Sequence, residues 1–194
     1  FCTSFILKNN MLYNARLSRN EHPMAVRWLI DHPEFINTDS FSRNENVIAV
    51  VWLIKNQQEM DHHSFSINSN PIAVRWLIEY KHLINSDGFV NNTCDLAVEY
   101  VIKNPWLIGR HISADNPNEK AVDWILDHKY IIDKDADIEH GGQHYVLSRN
   151  KNKRVVKVLL ENQNSLCVQS VNHNTNNEMV RWIISNYRRR CTTG

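Results

Sequence analysis

Carboxylates and histidines occur together in one stretch of the sequence, DKDADIEHGGQH at residues 133–144. Its three aspartates have the first spacings of a calcium-binding loop, but Ile138 replaces the required glycine and His144 replaces the bidentate glutamate. His140 and His144 beside an aspartate are ligand types for a transition metal, although a solvated loop with a glycine turn is the simpler interpretation. We therefore predict no metal site. We expect His140 and His144 to contact a partner, because long insertions in repeat proteins often lie on the binding face.

Signatures of catalysis and of structural cysteine chemistry are missing from the sequence. It contains no GxSxG, HExxH or glycine-rich phosphate loop, and it has only five glycines. The four cysteines are far apart and form no CxxC pair, which argues against a structural zinc site and a disulfide framework. Cys94 lies near a predicted helix start without a histidine beside it in the sequence. We predict a protein that is not an enzyme and needs no cofactor.

Basic residues are concentrated at the C-terminal end of the chain. Residues 149–194 carry a balance of +7 and residues 1–148 a balance of −6, although the whole chain is only +1. Such polarity favours an acidic partner at the basic end, either nucleic acid or the acidic region of another copy. The densest cluster is the run of Arg188, Arg189 and Arg190.

The composition is that of a globular protein, with 42% hydrophobic and 22% charged residues. No apolar run approaches the roughly 18 residues that a membrane span requires, and no secretory signal is apparent at the first residues. Because the cysteines form no framework, we expect a reducing, intracellular setting and no membrane association.

The hexamer AVRWLI at residues 25–30 returns unchanged at residues 73–78. Related hexamers follow one another in steps of 24 residues, with a single step of 34 between the fifth and sixth copies. The pattern predicts one repeat domain over residues 1–194, with a degenerate cap at 1–17 and an insertion at 133–142. Repeats are predicted to start near residues 18, 42, 66, 90, 114, 148 and 172.

Each hexamer has the apolar spacing of a helix rather than the alternation of a strand. The aromatic residue at its fourth position is expected to pack between repeats, where truncation of one tryptophan would cost about 3–5 kcal/mol. An asparagine five residues upstream is the predicted N-cap, with His22 or Asn70 as alternatives in the copies that contain Pro23 and Pro71. A residue past the hexamer, such as His32, is predicted to end the helix in left-handed geometry. The asparagine column comprises Asn20, Asn44, Asn68, Asn92, Asn116, Asn150 and Asn174.

One unit of 24 residues cannot bury both faces of a helical hairpin, whereas stacked units can. The period is too short for tetratricopeptide, ankyrin or HEAT units, and the LxL strand of leucine-rich repeats is missing. The sequence therefore predicts an all-α fold, specifically an α-solenoid of stacked two-helix repeats of 24 residues.

The segments SRNENVIAVVWLIKN, SINSNPIAVRWLI and SADNPNEKAVDWILDH resemble a known class of short tandem helical repeats. These are the SxNPNAI-type repeats in proteins of large DNA viruses that infect protists and algae. The resemblance covers nearly the whole chain, although tryptophan replaces the usual leucine in most copies. It implies an α-helical repeat and a viral origin, and hence a location in the host cytoplasm or the virion. It supplies no catalytic residues.

The third position of the hexamer varies in charge from copy to copy, which is typical of a face that stacking does not need. We expect this column to bind a protein partner and the chain to be a non-enzymatic interaction scaffold. The alternatives are nucleic-acid binding through the basic C-terminal end, and a virion or assembly component whose copies join head to tail. The column comprises Arg27, Val51, Arg75, Glu99, Asp123, Lys157 and Arg181.

Overall fold

The computed structural model describes residues 12–108, 112–128, 149–161 and 174–191, with the backbone alone at 107–108 and 186–191. Within these ranges every regular element is an α-helix or a 3₁₀-helix, so the prediction of an all-helical chain is confirmed for this part. The predicted insertion at 133–142 lies outside the described residues, as do His140 and His144.

The chain divides into two compact units, Phe1–His111 and Ile112–Gly194. The helices of unit 1 are α1 (12–18), α2 (Pro23–Asp31), α3 (Thr38–Ser42), α4 (Val47–Lys55), α5 (His62–Ile67), α6 (Pro71–Glu79), α7 (Ser86–Phe89), α8 (Asp95–Lys103) and α9 (Pro105–Ile108). The described helices of unit 2 are α10 (Glu119–Asp127), α11 (Lys153–Glu161) and α12 (Asn177–Cys191).

In unit 1, each hexamer lies in a helix of nine residues, which is followed by a shorter element. The long helices contact one another in chain order, α2 with α4, α4 with α6 and α6 with α8, and the short helices α3, α5 and α7 do the same. A 3₁₀ turn joins the long helix to the short one in the first three copies, at Pro33–Phe35, Gln57–Glu59 and Lys81–Leu83. Pro33 opens the first of these turns, and Pro105 opens α9.

The predicted N-caps are wrong by two residues. In α4 the residue that accepts from the first turn is Asn46, whose side chain receives the Ile48 N–H at 2.8 Å. The alternatives predicted for the proline copies are confirmed, because His22 and Asn70 cap α2 and α6. Pro117 likewise precedes the cap of α10, which is Asn118, and does not open the helix.

The asparagines of the column recur every 24 residues for a different reason, which is a ladder of hydrogen bonds between copies. Asn68 is 1% exposed, and its Nδ2 donates to the backbone oxygens of Ser42 at 3.0 Å and Asn44 at 2.9 Å. Its Oδ1 accepts the N–H of the cap residue Asn70 at 3.0 Å. One side chain therefore binds the preceding copy and positions the cap of its own helix. The same two bonds to the preceding copy recur at Asn44 and Asn92 in unit 1 and at Asn150 in unit 2. Asn174 donates likewise to the backbone oxygen of Asn150.

Buried serine hydroxyls form a second set of bonds between copies of unit 1. Ser42 Oγ accepts the backbone N–H of Asp61 at 2.9 Å, and Asp61 in turn caps α5. Ser18 and Ser66 accept from the equivalent caps of α3 and α7. Each short helix is thus held at its N-terminus by the copy before it.

The core of unit 1 differs from the predicted one in its aromatic residues. Phe65 is fully buried and meets the indole of Trp76 edge to face, with ring centroids 5.9 Å apart. Trp76 is only half-buried, and Trp28 is 41% exposed. The tryptophans were predicted to be core residues packed between repeats, but they are less buried than that. Phenylalanine and aliphatic side chains fill the fully buried positions. The buried aliphatic columns are Val26, Leu29, Val50, Leu53, Val74 and Leu77.

Three long helices of unit 1, α2, α4 and α8, end by a side-chain bond, without left-handed backbone. At the end of α4, Asn56 has φ −119°, and its Nδ2 donates to the backbone oxygen of Trp52 at 2.8 Å. His32 makes the same bond through Nδ1 to Trp28 and stacks its ring on that indole at 4.5 Å. The residue at this position ends α2, α4, α8 and α10, as predicted, but the left-handed geometry is wrong. The prediction also fails at Asn186, which lies inside α12.

The closest approach of the short helices leaves no room for a side chain at Gly88. A Cβ atom there would overlap the carbonyl oxygen of His63 on the neighbouring helix α5. Gly88→Ala is therefore expected to lower the free energy of unfolding by about 1–3 kcal/mol, as overpacking does, measured by urea unfolding. Ser86→Ala in the same helix is the control and should change little. A gain in stability for Gly88→Ala, as expected at an unobstructed helical glycine, would contradict this packing.

Candidate recognition surface

The variable column of unit 1 lies on the outer side of the long helices. Arg27, Val51 and Arg75 are exposed at equivalent positions of α2, α4 and α6, while the residues on either side of each in the hexamer are buried or half-exposed. Neither arginine makes an ion pair with a described residue. The structure thus places these column residues where a partner can reach them.

Glu99 continues the column on α8 but is less available. Its carboxylate is 41% exposed and lies 3.7 Å from Lys103 Nζ, one turn further along the same helix. An exposed pair of this kind contributes little to stability. The pair as a whole carries no net charge, so Glu99 adds little negative charge to the surface at α8.

Apolar side chains next to the column are exposed, and the sequence reasoning missed them. Met24 is 74% exposed, Val47 51% and Ile72 40%. They precede the column residues of their helices by three or four positions, the spacing that places two residues on one helical face. The sequence does contain a signal for them, since these apolar residues fall outside the face of each helix that is buried. We call Met24, Arg27, Val47, Val51, Ile72 and Arg75 the outer face.

In unit 2 the same column changes sign. Asp123 on α10 is exposed and bonded by Arg154 Nη1 of α11 at 2.5 Å, and Glu119 lies 3.5 Å from the same nitrogen. The Asp123 carboxylate raises the pKa of Arg154 above its ordinary value. Lys157 and Arg181 are exposed and make no ion pair with a described residue. Arg188, Arg189 and Arg190 lie in α12, where only the backbone is described.

One polar cluster in unit 1 contains groups that could do chemistry. Ser64 Oγ donates to Asp39 Oδ1 at 2.5 Å and accepts from Arg43 Nε at 3.1 Å. Ser64 is fully buried, and its carboxylate partner is not joined by a histidine that could act as a base, since His63 bonds to Asn85. The cluster therefore joins α3 to α5 and has no features of a nucleophilic site.

The carboxylate of this cluster makes the stability of the fold depend on pH. The Ser64 hydroxyl and then Arg43 hold the pKa of Asp39 below its ordinary value, against the opposing effect of burial. A depressed folded-state pKa gives stability that is present above the unfolded value, near pH 4, and is lost as pH falls below it. We expect Asp39→Asn to flatten the fall in the free energy of unfolding between pH 5 and pH 2, measured by urea unfolding. The difference should be well under 1 kcal/mol because the carboxylate is 51% exposed. Asp31→Asn, at an exposed carboxylate without an ion pair in the described part, should retain the wild-type pH profile. Identical profiles for wild type and Asp39→Asn would contradict the assignment.

Other candidate chemistry finds no support in the described ranges. Cys94 is half-buried at the N-cap of α8 and makes no capping bond with its side chain. Across residues 12–108, 112–128, 149–161 and 174–191, no three histidine, cysteine or acidic residues come together as metal ligands. None of the helices described is long and apolar enough to cross a membrane.

Comparison of the chain with protein-family models, with curated proteins and with solved structures gives no match.

Proposed function

We propose that the chain is an α-solenoid of 24-residue repeats and acts as a non-enzymatic protein-interaction scaffold. The asparagine ladder supports the solenoid, because each rung binds the backbone of the copy 24 residues earlier in unit 1. Such nearest-neighbour contacts are typical of solenoids. The resemblance of the repeats supports an origin in a large DNA virus and a role in the host cytoplasm or the virion.

The outer face of unit 1 is the proposed binding surface. Stacking uses the buried columns and the ladder, whereas the outer face makes none of these bonds between copies. Its side chains are exposed apolar groups and two cations that make no ion pair with a described residue, on three helices that contact one another in order. Arginine and methionine are enriched in protein interfaces, where apolar side chains lose water at the centre and charged groups set the orientation.

The observation that carries the proposal is the exposure of Val47 and Val51 on α4, at 51% and 36%, between Arg27 and Arg75 on the flanking helices. Neighbouring packed helices lie about 8–10 Å apart, so the arginines are separated by roughly twice that distance. The partner that fits is a segment with apolar side chains at its centre and carboxylates on both sides.

Site-specific photo-crosslinking tests this surface directly. A benzophenone amino acid is placed at position 51 on the outer face, or at position 58, where Gln58 is exposed in the adjoining 3₁₀ turn. In a lysate of cells that naturally make the chain, we expect one defined protein adduct from position 51 and none from position 58. Excess unlabelled wild-type protein should compete with the adduct, and Arg27→Glu with Arg75→Glu should abolish it.

Two results would contradict the proposal. Equal adducts from positions 51 and 58 would show that capture is not specific to the outer face. An adduct that survives reversal of both arginines would show that the partner is not recognised by its carboxylates.

A further inference from the structure

We propose that a basic face on unit 2 binds the phosphate backbone of single-stranded nucleic acid. Lys151, Lys153, Lys157 and Arg181 are exposed and make no ion pair with a described residue. Lys153 and Lys157 are four positions apart on α11 and so share one side of that helix, and α11 contacts α12, which carries Arg181. These four residues are called the basic face.

Folding alone does not explain why α11 begins with cations. Its first turn carries Lys153 and Arg154 and no acidic residue. The positive end of a helix dipole disfavours cations there and favours carboxylates. In the two preceding copies the first helical residues are Asp95 and Glu119, as the dipole favours. Asp123 and Glu119 of α10 compensate the charge of Arg154, whereas Lys153 makes no ion pair with a described residue. A local rule broken without a compensating contact, as at Lys153, is expected at functional positions.

The chemistry of the basic face favours nucleic acid over an acidic protein. None of the exposed large apolar side chains lies on α11 and one, Ile184, lies on α12, whereas three such side chains border the column on the outer face of unit 1. A protein interface needs a desolvated apolar centre. Binding to phosphates needs mainly positive charge, because the release of condensed counterions supplies the affinity.

The borders of the basic face favour one strand over two. Lys153 and Lys157 are about 6 Å apart along the helix axis, and Arg181 lies on a neighbouring helix about 8–10 Å away. On the other side, α10 contacts α11 and exposes Asp123 and Asp127. A duplex carries its two phosphate strands across grooves of about 6 and 12 Å. The phosphates of a second strand on that side would lie over these carboxylates, which carry the same sign of charge.

Arg154 forms the boundary between the two charges. Its guanidinium is held by Asp123 and Glu119 of α10, so it adds little to the positive potential of the basic face. Binding through the basic face belongs to unit 2 and is independent of the protein binding proposed for unit 1.

Fluorescence anisotropy of a labelled oligothymidylate with the full chain tests the proposal. With four phosphates neutralised, we expect the logarithm of the association constant to fall with that of salt at a slope of about −3. Lys153→Gln with Lys157→Gln should reduce the slope to about −1.5 and weaken binding about tenfold at low salt. The matched control is Lys55→Gln with Lys81→Gln, which removes the same charge from exposed positions of unit 1 outside the outer face and should leave binding unchanged.

Loss of folding cannot mimic the expected result, because removing Lys153 from the positive end of α11 relieves an unfavourable interaction. Circular dichroism should therefore show unchanged helicity for the double variant.

Several outcomes would overturn the proposal: no binding of the oligothymidylate at low salt, wild-type affinity in the double variant, or tighter binding of a duplex of equal length. Competition by polyglutamate as effective as by the oligothymidylate would assign the face to an acidic protein. Loss of binding only when Arg188, Arg189 and Arg190 are changed to alanine would move the site to the end of α12.

Discussion

Replacing Asn68 by alanine is expected to lower the free energy of unfolding by about 3 kcal/mol or more, because each buried polar group left unpaired costs about 1–3 kcal/mol. The change removes both donors to the oxygens of Ser42 and Asn44 and the acceptor for the N–H of Asn70. These three backbone groups belong to two successive copies. The variant therefore weakens the contact between copies as well as one helix start.

Urea unfolding followed by helical circular dichroism measures this effect. The matched control is Asn56→Ala, which deletes the same side chain where it makes one local bond to Trp52 and is half-exposed. It should cost only about 1 kcal/mol. Asn68→Asp keeps the shape but removes the donor and sets a carboxylate against two carbonyl oxygens, so it should be at least as damaging as alanine. Equal costs for Asn68→Ala and Asn56→Ala would show that the ladder does not stabilise the fold.

Phe65→Ala is expected to cost about 3–5 kcal/mol, the range for truncating a large buried aromatic side chain. Phe65 is fully buried and supports the edge-to-face contact with Trp76, so the change leaves a cavity and also removes a ring partner. Trp28→Ala should cost less, about 1–2 kcal/mol, because an indole that is 41% exposed has less apolar area to lose.

The comparison of these two variants by urea unfolding tests which aromatic column forms the core. A larger cost for Trp28→Ala than for Phe65→Ala would restore the original expectation that the tryptophans are sealed between copies. Trp52 is half-buried and its ring contacts Phe41. A cost for Trp52→Ala between those of Trp28→Ala and Phe65→Ala would agree with its intermediate burial.

The two asparagine positions show where prediction from local rules stopped. Asn44 and Asn46 are both suited to cap a helix, and the 24-residue recurrence of the first made it the better candidate. The recurrence has another source, because the amide of Asn44 bonds to the backbone of Ser18, which is far away in the sequence. A side-chain amide offers donors and an acceptor, and only the position of the neighbouring copy decides which of them are used.

The tryptophan column shows a similar limit. The hexamer AVRWLI contains five apolar residues in six, more than the apolar stripe of one helical face can hold. Periodicity shows that the segment is helical and amphipathic, but it does not rank Val26, Leu29 and Trp28 by depth. The packing of the short helices decides that order, because Phe41 and Phe65 are fully buried and meet half-buried indoles of the hexamers edge to face.

By itself the sequence determined the helical elements of the described part, the length of the repeat, the outward position of Arg27 and Arg75, and the charge contrast along the chain. These follow from spacing and composition, which depend on neighbours within one or two helical turns. Only the tertiary structure decided which asparagines bind the preceding copy, which aromatic residues are buried, and which cations are paired. Arg154 is neutralised by Asp123 while Lys157 is left without a described ion-pair partner, and that difference depends on distances between helices that are far apart in the sequence.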